Sequence, residues 1–255
     1  MNKVIKYVIY DIVRNRFVLS YTLLLLFTSL AFYGFGSEGN KGVLSLLNII
    51  LMVVPLVSIV FTTIQFYNSY EFLELLSAQP ISRKTIFLSQ FWGINISLCL
   101  AFFIGVGIPT WIYDGTGAGA TLVLCGFLLS LVFVSLAFFA CTLTRDRAKG
   151  IGIALGIWFY FCLLYDGLAL TLLMLFSDYP LDKASLVLTA LNPVDLARIL
   201  ILMKLDISAL LGITGAIFQK FFTSEKGVIV SVLLLLLWIA FPLLKAYKTF
   251  LKKDL

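Results

Sequence analysis

Few residues of this 255-residue chain have side chains that could carry chemistry. There is no histidine, and the four cysteines all lie inside long apolar runs: Cys99, Cys125, Cys141 and Cys162. An enzyme site needs a nucleophile beside a base, a metal-binding cluster or paired carboxylates, and the sequence shows no such arrangement. We therefore predict a chain that is not an enzyme and has no metal site, whose cysteines are small packing residues. Ligation of a soft metal by two of them is the alternative, which their spacing does not support.

The glycine-rich stretch Gly-Thr-Gly-Ala-Gly-Ala, residues 115–120, lacks the spacing and the strand-to-helix context of a nucleotide-binding loop. It is predicted to form a turn between two membrane spans. The phosphate-binding pattern that ends in Gly-Lys-Ser/Thr is missing as well. The chain is therefore not expected to bind or hydrolyse ATP by that route, and we predict no cofactor in it.

Asp166 is the single charged residue within five long apolar runs. A carboxylate at membrane depth is costly, which makes it a candidate for the substrate path or for pairing between helices. The alternative is that it lies near the end of a long tilted helix and reaches water or the neighbouring Tyr165.

Residues 68–86 connect two of these runs and form a second candidate site. Helical spacing places Glu71 and Glu74 on the side opposite the apolar residues, while Leu73 and Leu76 would face the membrane domain. Pro80 should end this short helix, and Ser82 can cap the next one. We predict a helix–turn–helix whose acids and Arg83 dock on a partner. The alternative is a solvated connector with ordinary surface charge.

Composition predicts an all-α integral membrane protein with a single transmembrane domain, residues 1–255. The chain is 61% hydrophobic with a mean hydropathy of +1.06, which leaves too little polar surface to cover a globule in water. A span needs about 20 residues to cross about 30 Å of hydrocarbon. Six runs satisfy this length or approach it: 17–36, 43–67, 87–113, 118–144, 150–177 and 227–250.

The basic residues predict the orientation of these spans. Thirteen of the nineteen Lys and Arg residues lie on the side of the two termini if six spans are counted, so both termini are predicted to be cytoplasmic. The net charge of +6 then reflects orientation and attraction to anionic lipid and not nucleic-acid binding. Residues 1–16 have the spacing of an amphipathic helix that lies in the membrane interface.

Residues 178–226 are too polar to form a clean span and too apolar to form an ordinary loop. They are predicted to form amphipathic helices that lie on the outer face or dip into it, broken at Pro193. A second piece, residues 207–222, could insert partly. If it spanned the membrane, the count would be seven and the C-terminus would be outside, which the C-terminal lysines argue against.

Three stretches carry a resemblance to a known family. Residues 71–83, Glu-Phe-Leu-Glu-Leu-Leu-Ser-Ala-Gln-Pro-Ile-Ser-Arg, resemble the cytoplasmic coupling segment of type-2 ABC exporter permeases. Residues 152–159 followed by Asp166, together with 191–199, narrow the resemblance to the Nos-type permeases. These belong to the transporter that helps assemble the copper–sulfur centre of nitrous oxide reductase.

The resemblance implies a six-span permease fold that forms a homodimer in the bacterial inner membrane. It implies a cytoplasmic ATPase dimer, which would bind ATP and Mg²⁺ and dock on Glu71, Leu73, Glu74, Leu76, Pro80 and Arg83. It also implies a periplasmic β-helical copper-handling subunit that contacts Asn192, Pro193, Asp195 and Arg198. The complex would export a sulfur species or transmit mechanical work.

Other functions stay open on the sequence alone. Another type-2 ABC permease could export a drug, a lipid or a gliding-motility component. A non-transporting membrane scaffold or enzyme is the alternative from another class. A copper channel through the chain is disfavoured, because soft ligands would be expected to line it.

Overall fold

A computed structural model describes residues 15–35, 39–69, 82–113, 117–176, 182–205 and 225–252. All regular elements in these ranges are helical. Five predicted coupling residues lie outside them, namely Glu71, Leu73, Glu74, Leu76 and Pro80. The same holds for residues 1–14 of the predicted interfacial helix, residues 115–116 of the glycine-rich stretch and the predicted piece 207–222. The prediction of a turn is wrong for residues 117–120, which form the first turn of a helix.

The described helices follow one another along the chain. They are α1 Arg16–Phe35, α2 Gly39–Asn68, α3 Arg83–Phe102, α4 Ile108–Tyr113, α5 Gly117–Leu143, α6 Arg147–Phe159, α7 Tyr165–Leu175, α8 Asp182–Ala190, α9 Pro193–Lys204 and α10 Glu225–Lys252. Two short π-helical segments, Phe103–Gly107 and Tyr160–Leu164, join α3 to α4 and α6 to α7.

Six stretches of these helices are long and apolar enough to cross a membrane, which confirms the predicted all-α class and span number. They are Arg16–Gly34, Gly42–Asn68, Arg83–Tyr113, Gly117–Leu143, Arg147–Leu175 and Gly227–Lys252. The third span contains α3 and α4, and the fifth contains α6 and α7. We number the spans one to six in this order.

The predicted cap at Ser82 is confirmed. Its backbone is extended, and its side-chain oxygen accepts a hydrogen bond from the Thr85 amide at 3.3 Å, so it satisfies one of the free N–H groups at the start of α3. Asp146 caps α6 in the same way, with the Ala148 amide 2.9 Å from its carboxylate. The third and fifth spans therefore both begin at side-chain caps.

The fourth span lies at the centre of the bundle. It packs against α2, α3, α9 and α10, and its Phe133, Val134 and Ala137 are fully buried. Cys125 and Cys141 are also buried there, and none of the four cysteines forms a disulfide.

An aromatic cluster joins the spans at the end of the bundle where the second span connects to the third. The Phe87 ring lies 5.3 Å from the Phe138 ring and 5.3 Å from the Phe250 ring. Phe66 and Phe91 lie 5.5 and 5.6 Å from Phe138 in edge-to-face contact. These rings come from four spans, so the cluster ties the four spans together at this end of the bundle.

The second and fifth spans meet at a glycine. The Tyr67 hydroxyl donates to the Thr144 carbonyl at 3.1 Å, and the Tyr67 ring lies against the buried Gly150. A Cβ atom added at Gly150 would lie 2.5 Å from Cε2 and 2.6 Å from Cζ of Tyr67. Only glycine allows the start of the fifth span to approach this ring so closely.

We predict that Gly150→Ala destabilises the chain by about 1 to 3 kcal/mol, because the new methyl group must displace Tyr67. Thermal unfolding in mild detergent would measure the change. Gly34→Ala is the matched control, since a Cβ at Gly34 meets nothing within 4 Å. Equal melting temperatures for the two variants would contradict the close contact.

Candidate functional site

Helices α8 and α9 form a bent pair beside the fifth span. Their axes are bent by 112° at a break between Ala190 and Pro193, and Pro193 occupies the first turn of α9, where it is well tolerated. The predicted break is therefore at the right place. The surface-lying alternative is wrong for α9, because nine of its twelve residues are buried against α5, α10 and α2.

Asn192 organises the break. Its Oδ1 atom accepts from the Val194 amide at 3.0 Å and caps α9, while its Nδ2 atom donates to the Phe161 carbonyl and to Asp195 Oδ2, both at 3.0 Å. Phe161 lies in the π-helical segment of the fifth span, where the α-helical bonding pattern is interrupted. One fully buried amide thus starts α9 and ties it to the fifth span.

Two other side chains bind the end of α8. The Tyr165 hydroxyl donates to the Leu188 carbonyl at 2.6 Å, and the Trp238 indole donates to the Ala190 carbonyl at 3.1 Å. The Ala190 carbonyl is at the last residue of α8 and has no partner within the helix, so the Trp238 bond satisfies a group that would be costly to leave open inside a membrane. The Leu188 carbonyl also accepts from the Leu191 amide at 3.1 Å, so Tyr165 is a second donor to it. The fifth and sixth spans together hold the bent pair.

An ion triad links α9 to α7. Arg198 Nη1 lies 2.7 Å from Asp166 Oδ2 and 3.1 Å from Asp195 Oδ1. The exposed side-chain fractions are 32% for Arg198, 31% for Asp166 and 16% for Asp195. Of the two roles predicted for Asp166, the structure shows the pairing between helices, whereas a place on a substrate path stays a prediction.

The triad carries unequal charge. Two carboxylates share one guanidinium, and within the described part of the chain neither carboxylate has a second cationic partner. One negative charge is therefore uncompensated when both carboxyl groups are ionised. In a region of low dielectric such an excess attracts a cation or a proton.

A pocket of about 180 Å³ opens beside the triad, between α7 and the bent pair. Its polar part includes the triad, the Tyr165 side chain and the Ser185 and Thr189 side chains. Its remaining wall is apolar and consists of Ala169, Leu170, Leu173, Leu188 and Ile199. The pocket thus combines a charged end with a hydrocarbon-like wall.

The position of these residues along the fifth span indicates how deep the bent pair and the triad lie in the membrane. Phe161 is the middle residue of Arg147–Leu175, so the tip of the bent pair reaches the middle of that span. Asp166 follows Arg147 by nineteen residues, which corresponds to about 28 Å of helix. It is the twentieth of the 29 residues of Arg147–Leu175, so the triad lies between the middle of that span and its far end.

The structure separates the predicted site residues into groups. Asn192 and Pro193 are buried within the chain, so in this arrangement they are not available to a periplasmic subunit; the polar residues nearby face the fifth span instead. Asp195 and Arg198 are partly exposed in the pocket. Arg83 is exposed at the start of α3, where its Nη1 atom lies 3.5 Å from the Leu251 carbonyl.

Sequence reasoning missed the hydrogen bonds of Tyr165 and Trp238. No pattern marks a tyrosine or tryptophan that will find a carbonyl on another helix. The role of Asn192 did have a signal, because an Asn followed by Pro at the start of an apolar helix is typical of a cap.

Comparison with known proteins identifies the family. The model of the ABC-2 family transporter proteins matches residues 4–255. The chain belongs to the ABC-2 transporter family. The resemblance to type-2 ABC permeases is thereby confirmed, and the chain is a multi-pass permease of an ABC transporter.

Two curated relatives of this ABC-2 permease bear the same name. A probable ABC transporter permease protein NosY from Pseudomonas aeruginosa is 29% identical over 224 residues, which cover 80% of this chain and 82% of the relative. A protein of that name from Stutzerimonas stutzeri is 27% identical over 266 aligned positions, which cover 95% of each chain. The narrower resemblance to Nos-type permeases therefore extends over almost the whole chain.

We predict that Asp166 and Arg198 stabilise the fold as a pair. In a double-mutant cycle of Asp166→Asn and Arg198→Gln, measured by SDS-driven unfolding, the coupling energy should be about 1 kcal/mol, since both side chains are partly exposed. Combining Asp166→Asn with Lys149→Gln is the control, because Lys149 is distant along the same span and should give additive effects. Additivity in both cycles would exclude the ion pair as a stabilising contact.

Proposed function

We propose that this ABC-2 permease is the membrane subunit of an ATP-driven complex that helps assemble the copper–sulfur centre of nitrous oxide reductase. The observation that carries the proposal is the similarity to two NosY permeases, which in one case covers 95% of both chains. The bacterial inner membrane, with both termini in the cytoplasm, is the expected location on the basis of the lysine and arginine distribution.

The proposed energy source is a separate ATPase dimer that binds ATP and Mg²⁺. It would dock on the acidic side of residues 68–86, at Glu71 and Glu74, with Arg83 at the edge. The aromatic cluster supports this proposal, because the spans on either side of that segment are joined through Phe66 and Phe87 to the Phe138 ring. A displacement of this segment would thus move the joined spans together.

We propose that the fifth span transmits this motion across the membrane. Its first residues contact the second span at Gly150 and Tyr67. Its far half binds the bent pair through Phe161, Tyr165 and Asp166. A rigid helix fixed at both ends converts a displacement at one face into a displacement of the bent pair at the other.

A second copy of the chain would complete the permease. Gly152 and Gly156 are spaced by four residues on the fifth span, and a Cβ atom on either meets nothing within 4 Å. Leu155 and Phe159 beside them are exposed. Small residues at this spacing allow two membrane helices to pack closely, so we propose this face for the homodimer.

The far side of the complex is proposed to hold a periplasmic β-helical copper-handling subunit. Since Asn192 and Pro193 are buried at the tip, we propose contact through exposed residues at the other ends of the two helices, Ala184 and Lys204. The work done on this subunit would be mechanical, or a sulfur species would pass to it.

Purification from the native host tests the complex. We predict that the tagged chain brings an ATPase and a periplasmic repeat protein in near-stoichiometric amounts, measured by quantitative mass spectrometry. An ATPase without the repeat protein would instead indicate an exporter of a drug, a lipid or a motility component. Recovery of neither from a folded dimer would favour a non-transporting scaffold.

The double reversal Glu71→Lys and Glu74→Lys should reduce ATPase recovery at least tenfold, because like charges would then face a basic groove. The matched control is Glu38→Lys with Asp114→Lys, which makes the same charge change in loops predicted to lie on the opposite side. Unchanged ATPase recovery after reversal of Glu71 and Glu74 would contradict the proposed docking surface.

The glycine pair provides a separate test of the dimer. Gly152→Leu with Gly156→Leu should shift the detergent-solubilised chain from dimer to monomer, because the larger side chains prevent close helix packing. Light scattering coupled to size-exclusion chromatography would measure the mass. Gly34→Leu is the control, because Gly34 is also exposed and unobstructed but lies on the first span.

A further inference from the structure

We propose that Asp166 and Asp195 form a proton-binding site, in which the two carboxyl groups share one proton between the fifth span and the bent pair. The site is separate from the partner surfaces proposed above and does not depend on them. Three observations support it: the contact between the two carboxyl groups, the single cation beside them and the course of the pocket that reaches them.

The carboxyl groups of Asp166 and Asp195 lie in hydrogen-bond contact with each other. Two ionised carboxylates cannot form such a bond, because each of them only accepts hydrogen bonds. The contact therefore requires a proton, which belongs to the pair and not to one residue alone. When two carboxyl groups share a site in this way, one of them stays protonated far above the ordinary pH range of a carboxylic acid.

Arg198 balances the charge of the protonated pair. Its Nη1 atom lies 2.7 Å from Asp166 Oδ2 and 3.1 Å from Asp195 Oδ1, so it contacts both carboxyl groups at once. With one shared proton, the pair has one negative charge and the triad is neutral. Without the proton, the triad has an excess negative charge, which is costly in a region of low dielectric.

In the described part of the chain, no further cation faces Asp195 that could replace the proton. The fifth span contributes Cys162 and Tyr165, side chains that ordinarily are uncharged at neutral pH. Helix α8 contributes the hydroxyl groups of Ser185 and Thr189 to the pocket. Helix α5 has no charged residue, and the charged residues of α2 and α10 lie toward the ends of those helices.

The surroundings of Asp195 bring its proton into the physiological range. Its pKa is raised to about 7, first by burial and then by the charge of Asp166, although Arg198 and the Asn192 amide act in the opposite direction. Burial is the larger cause, since only 16% of the side chain is exposed. The site is therefore neither permanently protonated nor permanently ionised near neutral pH.

The pocket gives this proton a route to one face of the membrane. Ala169, Leu170 and Leu173 line it and follow Asp166 toward the far end of the fifth span, away from Arg147. Its volume of about 180 Å³ is sufficient for several water molecules. Water in the pocket would connect the carboxyl pair with the compartment at that end, which is predicted to be the outer one.

The proton strengthens the contact between α7 and α9. With it, each carboxyl group binds the other and Arg198, whereas without it Asp166 and Asp195 repel each other. The folded chain thus holds a proton that the unfolded chain releases above about pH 4. The stability contributed by this proton therefore falls as the pH rises toward about 7 and is lost above that value.

Infrared spectroscopy tests the site directly, because a protonated carboxyl group absorbs apart from an ionised one. The full-length chain in dodecyl maltoside, a detergent without carbonyl groups, is titrated between about pH 5.5 and 8.5, where ordinary Asp and Glu side chains are ionised. We expect one protonated carboxyl group per chain, lost with a midpoint at about pH 7. A spectrum without any protonated carboxyl group at the acidic end of this range would overturn the proposal.

Three matched substitutions assign the infrared band. Asp195→Asn and Asp166→Asn should each abolish it, because a single carboxylate beside Arg198 needs no proton. Asp146→Asn is the control, since it removes a carboxylate at the start of α6, at the other end of the same span, and should leave the band unchanged. Asp166→Asn carries the assignment if Asp195→Asn fails to fold. Persistence of the band in a folded variant of the pair, or its loss in Asp146→Asn, would overturn the assignment.

Thermal unfolding over the same pH range measures the contact between α7 and α9. Between about pH 5.5 and 7, the folding equilibrium constant should fall more steeply in the wild type than in Asp195→Asn, by up to about tenfold per pH unit. Asp146→Asn should keep the slope of the wild type. Equal slopes in Asp195→Asn and Asp146→Asn would contradict the link between the proton and the stability of the fold.

A metal cation is the alternative ligand of the carboxyl pair. The infrared midpoint should be the same in sodium, potassium and choline salts at equal ionic strength, because a proton competes with none of them. A lower midpoint in sodium or potassium than in choline would show that a metal ion takes the place of the proton. That result would overturn the assignment of the site to a proton.

Discussion

The interrupted backbone of the bent pair is the constraint on which the rest of the site depends. Inside a bilayer no water is available for free backbone groups, so an interruption between two helices at membrane depth must be satisfied by protein. Asn192 caps the second helix, and Tyr165 and Trp238 bind carbonyls at the end of the first. The fifth and sixth spans therefore cannot move freely with respect to the bent pair.

The ion triad has a different character from these neutral hydrogen bonds. The neutral hydrogen bonds to carbonyls fix the position of the bent pair against the spans, whereas Arg198 shares its charge between carboxylates from two helices. The triad therefore adds charged contacts between α7 and α9 to the neutral hydrogen bonds of Asn192 and Tyr165.

The two ends of the fifth span are held by unrelated means. At one end, the absence of a side chain at Gly150 permits contact with Tyr67, and at the other, polar groups bind the bent pair. Between them, exposed glycines and apolar residues form a face that no other part of the described chain covers. This combination is the basis on which we propose that the fifth span contacts a partner copy and links the coupling segment to the pocket.

Composition and local pattern determined the six spans, the Ser82 cap, the break before Pro193 and the singular position of Asp166. These properties depend on hydropathy and on side chains that are close together along the chain, so they can be predicted from the sequence. The partner of Asp166 lies thirty-two residues away on another helix. The alternation of apolar and polar residues around Asp195 and Arg198 predicts only that this segment lies on the outer face or dips into it. Only the tertiary structure decided that these polar groups face the fifth span and that α9 is buried, because hydrogen-bond partners between helices are set by packing and not by spacing along the chain.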